Sequence, residues 1–362
     1  MRLFPPTVLT ALLVVPLLAA PAAAAPPDPR VRLADVGAVR EADVALAPGT
    51  TSLETDPYAM VAATWADGDP VVEVRTSPGG DWEVLPGLAD GPTPGEGEGR
   101  AGLTATELVW VGRTQDLDVR VTGEAQDLEL VLIDPGSDGP AAAAPASRRT
   151  ARTAEAEADA APRPTLRTRK DWGADPRWRN GRPHYNKRLK QVHVHHTATG
   201  NGYRRSDVPG IIRGMYRYHT HDLGWFDIGY NFLVDRFGRA WVGRSGGPSR
   251  LVRGAHTLGF NKTSVGIAVI GTFEERTPRK DARRTVARLA AWKLDKHGRD
   301  ATGRVWVRST GSDKYADGER VRLPVVDGHR DTNDTACPGQ KLYDRLPGIR
   351  RVAQARIDRF GA

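Results

Sequence analysis

The feature that most constrains this chain lies near its middle, where residues 137–165 read SDGPAAAAPASRRTARTAEAEADAAPRPT, rich in Ala and Pro and almost free of large apolar side chains. Such a stretch buries too little surface to offset its ordering entropy, so it is expected to be a flexible linker, with a helix over Arg148–Ala161 as the competing arrangement. Either way the 362 residues fall into two parts, each long enough for a core of its own. The charge divides there too. Residues 31–140 carry 6 Arg against 21 acidic side chains, a net −15, while 166–362 carry 40 Lys plus Arg against 19 acids, a net +21. The overall +8 conceals this opposition. It raises the hypothesis that the acidic half docks on the basic half and covers it.

The first 25 residues have a basic start at Arg2, an apolar run from Val8 to Ala20 and a small-residue stretch from Ala22 to Ala25. This is the pattern of an export signal, with cleavage expected near Ala24 or Ala25. The apolar run falls short of the roughly 18 to 20 residues a membrane helix needs, and no later segment qualifies, so a secreted monomer without a membrane span is expected. Residues 31–136 contain short alternating runs, Val71–Arg75, Glu107–Val111, Leu117–Val121 and Leu128–Ile133, divided by Gly and Pro. Period-two alternation with frequent turns reads as a small all-β, sandwich-like domain. It has no His or Cys and its acids are scattered, so no chemistry is expected in it. Trp65, Trp82 and Trp110 are expected to pack in its core rather than stack on sugars.

Cys337 is the only cysteine. One thiol forms no intramolecular disulfide, and a free one is a liability outside the cell, so it asks for a reason. In GHRDTNDTACPG it follows His329 by eight residues, and thiolate plus imidazole is a zinc-binding pair. Three protein ligands plus water is the pattern of a catalytic zinc site, so a second histidine is expected. QVHVHHTATG, Gln191–Gly200, offers three. Strand alternation puts Val192 and Val194 on one face and His193 and His195 on the other, and spacing alone does not choose among the histidines.

These segments, together with GWFDIGYNFLVDRFG (Gly224–Gly238) and GAHTLGFNKTSVGIAVIGTF (Gly254–Phe273), resemble the motif series of the peptidoglycan recognition protein family, which includes zinc-dependent N-acetylmuramoyl-L-alanine amidases. The likeness runs from about Lys170 to the C-terminus. It implies that His195, His329 and Cys337 hold Zn2+, that Tyr230 and Thr335 support the oxyanion, and that His219, Trp241, Arg253, His256 and Asn261 contact substrate. His193 becomes a neighbour of the ligands, and His196 points the other way. Thr335 departs from the phage enzymes, which have lysine there; a hydroxyl brings no positive charge to the oxyanion. The implied activity is hydrolysis of the amide between N-acetylmuramic acid and L-alanine of peptidoglycan, with a non-catalytic peptidoglycan-binding module as the alternative.

The expected fold of residues 166–362 is α/β, a mixed central sheet flanked by helices. Strands are expected at Gln191–His195, Tyr230–Asp235, Ala240–Arg244 and Val265–Ile270, with helices after Ser206, over Asp281–His297 and over Leu346–Phe360. Its basic surface suits a cell-wall-associated protein that meets peptidoglycan and anionic wall polymers. No nucleic-acid-binding motif is present, and nothing resembles the HExxH of zinc endopeptidases.

Overall fold

The computed structural model describes residues 30–93, 95–136 and 160–360. The export-signal segment and most of the expected linker lie outside them. Among the described residues, no helix is long and apolar enough to cross a membrane.

The acidic half is an antiparallel sheet ordered Ala34–Val36, Val39–Ala45, Glu129–Asp134, Gly49–Trp65, Val109–Thr122, Val71–Arg75 and Glu83–Val84, with Thr104–Ala105 added beside Gly49–Trp65. The runs expected at Glu107–Val111 and Leu117–Val121 belong largely to one strand of 14 residues, Val109–Thr122. Irregular register near Tyr58 bends its pairing with Gly49–Trp65, so one sheet can curl around a core. Alternation then feeds two different cores. Val61, Ala63, Leu130 and Leu132 pack with Val72, Val74 and Val119 inside the β domain. Their neighbours Met60, Ala62, Val131 and Ile133 face the other way and pack on the second half of the chain. Trp65 is buried as expected, whereas Trp82 lies under the guanidinium groups of Arg75 and Arg120.

The basic half is the expected mixed sheet, ordered Leu166–Arg167, Ala240–Val242, Phe232–Val234, Ser264–Val269, Gln191–His196 and Val326–Gly328. Gln191–His196 lies between two parallel neighbours, Ser264–Val269 and Val326–Gly328. Helices α1 (Val208–His221) and α2 (Lys280–Asp295) and the C-terminal helix Leu346–Phe360 flank it. Helix α1 starts two residues past Ser206, and its N-cap is Asp207, which makes no side-chain cap. The main core joins Val192, Val194, Ile267 and Val269 to Val286, Leu289 and Trp292 of α2. Ala161, from the end of the expected linker, is buried in it.

Helix α1 shows how the halves meet. Ile211, Ile212, Met215 and Tyr216 recur at helical spacing, yet Arg213, Gly214, Arg217 and Tyr218 on the remaining faces are buried as well. The β domain covers them. Gly214 has room only for hydrogen, since a β-carbon there would overlap Met60 Sδ. Arg213 donates to Pro135 O (2.8 Å), Tyr218 Oη to Thr106 O (2.8 Å), and Arg217 Nε to Glu41 Oε2 (2.7 Å). The Arg217–Glu41 side chains are only 11% and 10% exposed. Removing one member of such a pair leaves a stranded charge and costs about 3–5 kcal/mol. Arg217→Ala is therefore expected to lose about that much stability in urea unfolding, and Glu41→Ala added to it should recover part of the loss.

Candidate metal centre

His195 sits near the end of Gln191–His196, and His329 opens a 3-10 turn just after the parallel neighbour Val326–Gly328. Their ring centroids are 4.6 Å apart. Cys337 is far along the chain but folds back, because Arg330 N donates to Cys337 O at 2.9 Å and closes the intervening loop. The candidate ligand atoms of His195, His329 and Cys337 all lie within 4.8 Å of one another, and all three residues are buried. His195 Nε2 is engaged by His256 Nδ1 at 3.1 Å, which turns its Nδ1 toward Cys337 Sγ at 3.8 Å. A partner on the outer ring nitrogen is what fixes the orientation of a metal-binding imidazole.

The neighbouring histidines divide as alternation implied. His193 faces the site's side of the strand and pairs with Asp327 at 2.6 Å. His196 turns away, its Nδ1 accepting from Phe273 N, while its own backbone N–H donates to Cys337 Sγ at 3.4 Å. His256 is wholly buried, and a β-carbon on Gly266 would overlap its ring, so only glycine fits there.

Tyr230 is 1% exposed, its ring centroid 5.5 Å from that of His195. Burial raises its phenol well above the usual range, and Asp90, which comes from the β domain, adds to this. Asp90 Oδ1 lies 3.6 Å from His195 Nδ1 and 3.3 Å from His329 Nδ1. No sequence signal pointed to Asp90; the β domain was expected to contribute no chemistry.

Burial governs the electrostatics. It holds the His195 and His256 imidazoles well below their usual range, assisted by the neighbouring histidines, and brings His329 down to about 3. It also pushes the Cys337 thiol well up, and the nearby Asp90 adds to this. The Asp90 carboxyl is raised by burial, with the neighbouring Tyr230 opposing the shift. Neutral imidazoles and a thiol that a bound cation would deprotonate are the donor types a divalent metal takes up. Two imidazoles and a thiolate suit zinc.

The other expected site residues scatter. Thr335 is half-buried and its Oγ1 accepts from Cys337 N at 3.2 Å, which leaves its proton free to donate. His219, on α1, is stacked on Trp225 at 4.5 Å, and its Nδ1 accepts from Gly229 N. Trp241 does not line a groove: it is 0% exposed, with its indole N–H donating to Asp235 Oδ2 at 3.0 Å, so packing accounts for it. Asn261 is buried, its Oδ1 accepting from the backbone of His256 and Thr257. Arg253 is partly buried, its Nε donating to Asn186 Oδ1 at 2.9 Å.

A segment of the β domain packs against Arg253 and its neighbours. In PGEGEG, Gly95, Gly97 and Gly99 all adopt left-handed φ values, 79°, 71° and 92°, which a side chain would resist. Between them, Glu96 pairs with Arg253 and Glu98 with Arg244. Gly91 O accepts from Asn261 Nδ2 at 2.8 Å, and Gly99 N and Arg100 N donate to Gly224 O and Leu223 O. The acidic half thus docks on the basic half in this structure, through specific pairs rather than a diffuse field.

Residues 185–340 match the Amidase_2 family, described as N-acetylmuramoyl-L-alanine amidase, and this stretch contains His195, Tyr230, His329 and Cys337. The basic half carries an Amidase_2 domain. Residues 19–163 match a second family, the Rv3811 N-terminal galactose-binding domain-like family. Homologues of the Amidase_2 domain are peptidoglycan-recognition proteins: protein SA of Drosophila melanogaster is 36% identical over 116 residues, 32% of this chain and 54% of that protein. A human N-acetylmuramoyl-L-alanine amidase is 33% identical over 192 residues, 51% of this chain and 28% of that protein. The chain thus spans about half of the one relative and less of the other. Among solved structures, Drosophila PGRP-LB is similar at 28% identity, covering 50% of this chain and 91% of that one with a TM-score of 0.40. Peptidoglycan recognition protein-LE, solved in complex with tracheal cytotoxin, a monomeric diaminopimelic acid-type peptidoglycan, is 29% identical over 51% of this chain and 92% of that one, with a TM-score of 0.39.

Proposed function

We propose that this chain is a secreted, zinc-dependent amidase that cleaves the bond between N-acetylmuramic acid and the L-alanine of peptidoglycan stem peptides. The observation that carries the reading is the buried convergence of His195, His329 and Cys337 beside Tyr230. A bound Zn2+ would supply Lewis acidity toward the scissile carbonyl and toward water.

The remaining work falls to the chain. Burial keeps the Tyr230 phenol protonated, so its hydroxyl can donate to the carbonyl oxygen as negative charge develops there. Thr335 offers a second O–H, positioned by its bond from Cys337 N. His256 holds His195 by its outer nitrogen. Arg253 and Arg244 carry the positive charge that suits an anionic stem peptide once Glu96 and Glu98 have left.

Purified peptidoglycan incubated with the full chain, with and without a zinc chelator, tests this by mass analysis of the fragments. The Glu96→Ala/Glu98→Ala variant should be run in parallel so that groove access does not mask the chemistry. Free stem peptides and intact glycan, released only with metal, are expected; retained binding without release in both proteins would favour a binding module. In the same assay Tyr230→Phe should lower kcat by about 10²–10³ with metal content unchanged, the usual cost of an oxyanion donor.

A further inference from the structure

Helix α2 and the start of the C-terminal helix enclose a cleft of about 630 Å³ that the proposed reaction does not use. Lys280, Arg283 and Arg284 of α2 line it together with Arg345 and Arg351. We propose that this cleft binds a linear phosphodiester polymer, on the side of the sheet opposite the metal centre.

The positive charge there is uncompensated. Where the acidic half packs on the basic one, cations meet carboxylates: Arg244 and Arg253 pair with Glu98 and Glu96, and Arg217 with Glu41. Among the described residues, none of the five cleft cations forms an ion pair. Asp344 is the one acid in the lining, and its Oδ1 already accepts from Gln340 Nε2 at 2.7 Å. Like charges gathered on one cleft repel one another, and an anion that bridges them turns that repulsion into attraction.

The cations continue along the helix. Lys280, Arg284 and Arg288 share one stripe of α2, about 12 Å long at roughly 1.5 Å per residue. Arg288 lines a second cleft with Arg167 and Arg356, where burial, and then Arg288 and Arg359, lower the Arg356 guanidinium from its usual range. A small anion fills one cleft, whereas charge repeated over two suits a chain with an anion at each repeat. Most of these cations are arginine, whose planar fork grips two oxygens of a phosphate. Neither lining has an aromatic side chain, so single-stranded nucleic acid finds no stacking platform. Nor does either carry the Trp, Phe or Leu with which basic helices enter a bilayer interface. Helix α2 packs on Val192 and Val194, while His195 on the other face meets Tyr230, so a polymer in the clefts leaves the metal centre clear. On the proposed function, that polymer is one borne by the cell wall.

The test titrates the full chain with poly(glycerol phosphate) at several salt concentrations. Arg284→Gln/Arg345→Gln/Arg351→Gln is compared with Arg182→Gln/Lys187→Gln/Arg188→Gln, which removes as many exposed charges from outside both clefts. The cleft variant is expected to bind at least about tenfold more weakly, with the slope of log K against log salt reduced by roughly 2, at about 0.7 per lost contact. The second variant should bind as wild type does. Equal losses in both would mean a diffuse field and no site, and unchanged binding in the cleft variant would place the polymer elsewhere; either overturns the proposal. So would tighter binding to phosphatidylglycerol vesicles or single-stranded DNA than to the polymer, or displacement of the polymer by inorganic phosphate at equal phosphate concentration. Binding is read without turnover, so a negative result leaves the amidase reading standing.

Discussion

Cys337→Ala is expected to reduce stem-peptide release to background and to bring bound zinc from one equivalent to near none. Structural zinc centres contribute about 10–16 kcal/mol of binding, a large part of it through deprotonated thiolate, and alanine has nothing to replace it. The fold should survive, because the Cys337 side chain is held only by the His196 N–H at 3.4 Å and by weak contacts. Loss of one such hydrogen bond costs about 1 kcal/mol. Circular dichroism and urea unfolding would establish that the variant is folded, and binding to insoluble peptidoglycan, measured in the Glu96→Ala/Glu98→Ala background, should be unchanged. Residual metal-dependent turnover in Cys337→Ala would show that the thiolate is not a ligand.

The second large effect concerns Glu98. Its carboxylate pairs with Arg244, each side chain 5% exposed, and it also accepts from Phe226 N at 3.0 Å. Glu98→Ala strands a buried guanidinium, but only while the segment stays down; with the groove open, water reaches Arg244. The cost of about 3–5 kcal/mol is therefore charged to the closed arrangement. At about 1.4 kcal/mol per factor of ten, the closed population falls by about 10²–10³ relative to the open one. Turnover of the full chain on peptidoglycan should rise by at least about tenfold, with little change in thermal stability. Equal rates for wild type and Glu98→Ala would mean that the segment does not limit access.

Much of the basic half was legible because its signals are local. Alternation in Gln191–His196 separated His193 and His195 from His196, and the order of the motifs gave the positions of Tyr230, His329 and Cys337. The helices announced themselves by spacing, and the C-terminal one has the expected bounds. Trp241 was misjudged because a motif position says nothing of whether an indole faces solvent or a buried carboxylate such as Asp235. Asp90 was missed for a different reason. It meets His195 and His329 across more than a hundred residues of chain, and an aspartate in LADGPTP has no periodicity or spacing to mark it. The visible hints were indirect: a Gly-rich acidic loop facing a basic domain, and a helix whose outer face bears Gly214 and Arg217 rather than ordinary solvent-exposed residues.

That helix has a further consequence. Because α1 is enclosed on all sides, its inner residues and the β-domain residues Met60, Ala62, Val131 and Ile133 belong to one continuous apolar cluster. The boundary visible in composition is therefore not a boundary in cooperativity. The two halves share the same nucleus of burial, so the chain should lose its structure as a single thermodynamic unit, and a fragment beginning at Leu166 would carry an oily stripe in place of its neighbour. On the proposed reading, access to the metal centre depends instead on the loop carrying Asp90, Glu96 and Glu98. Anchorage and gating are thus held by separate residues, and one can change without the other.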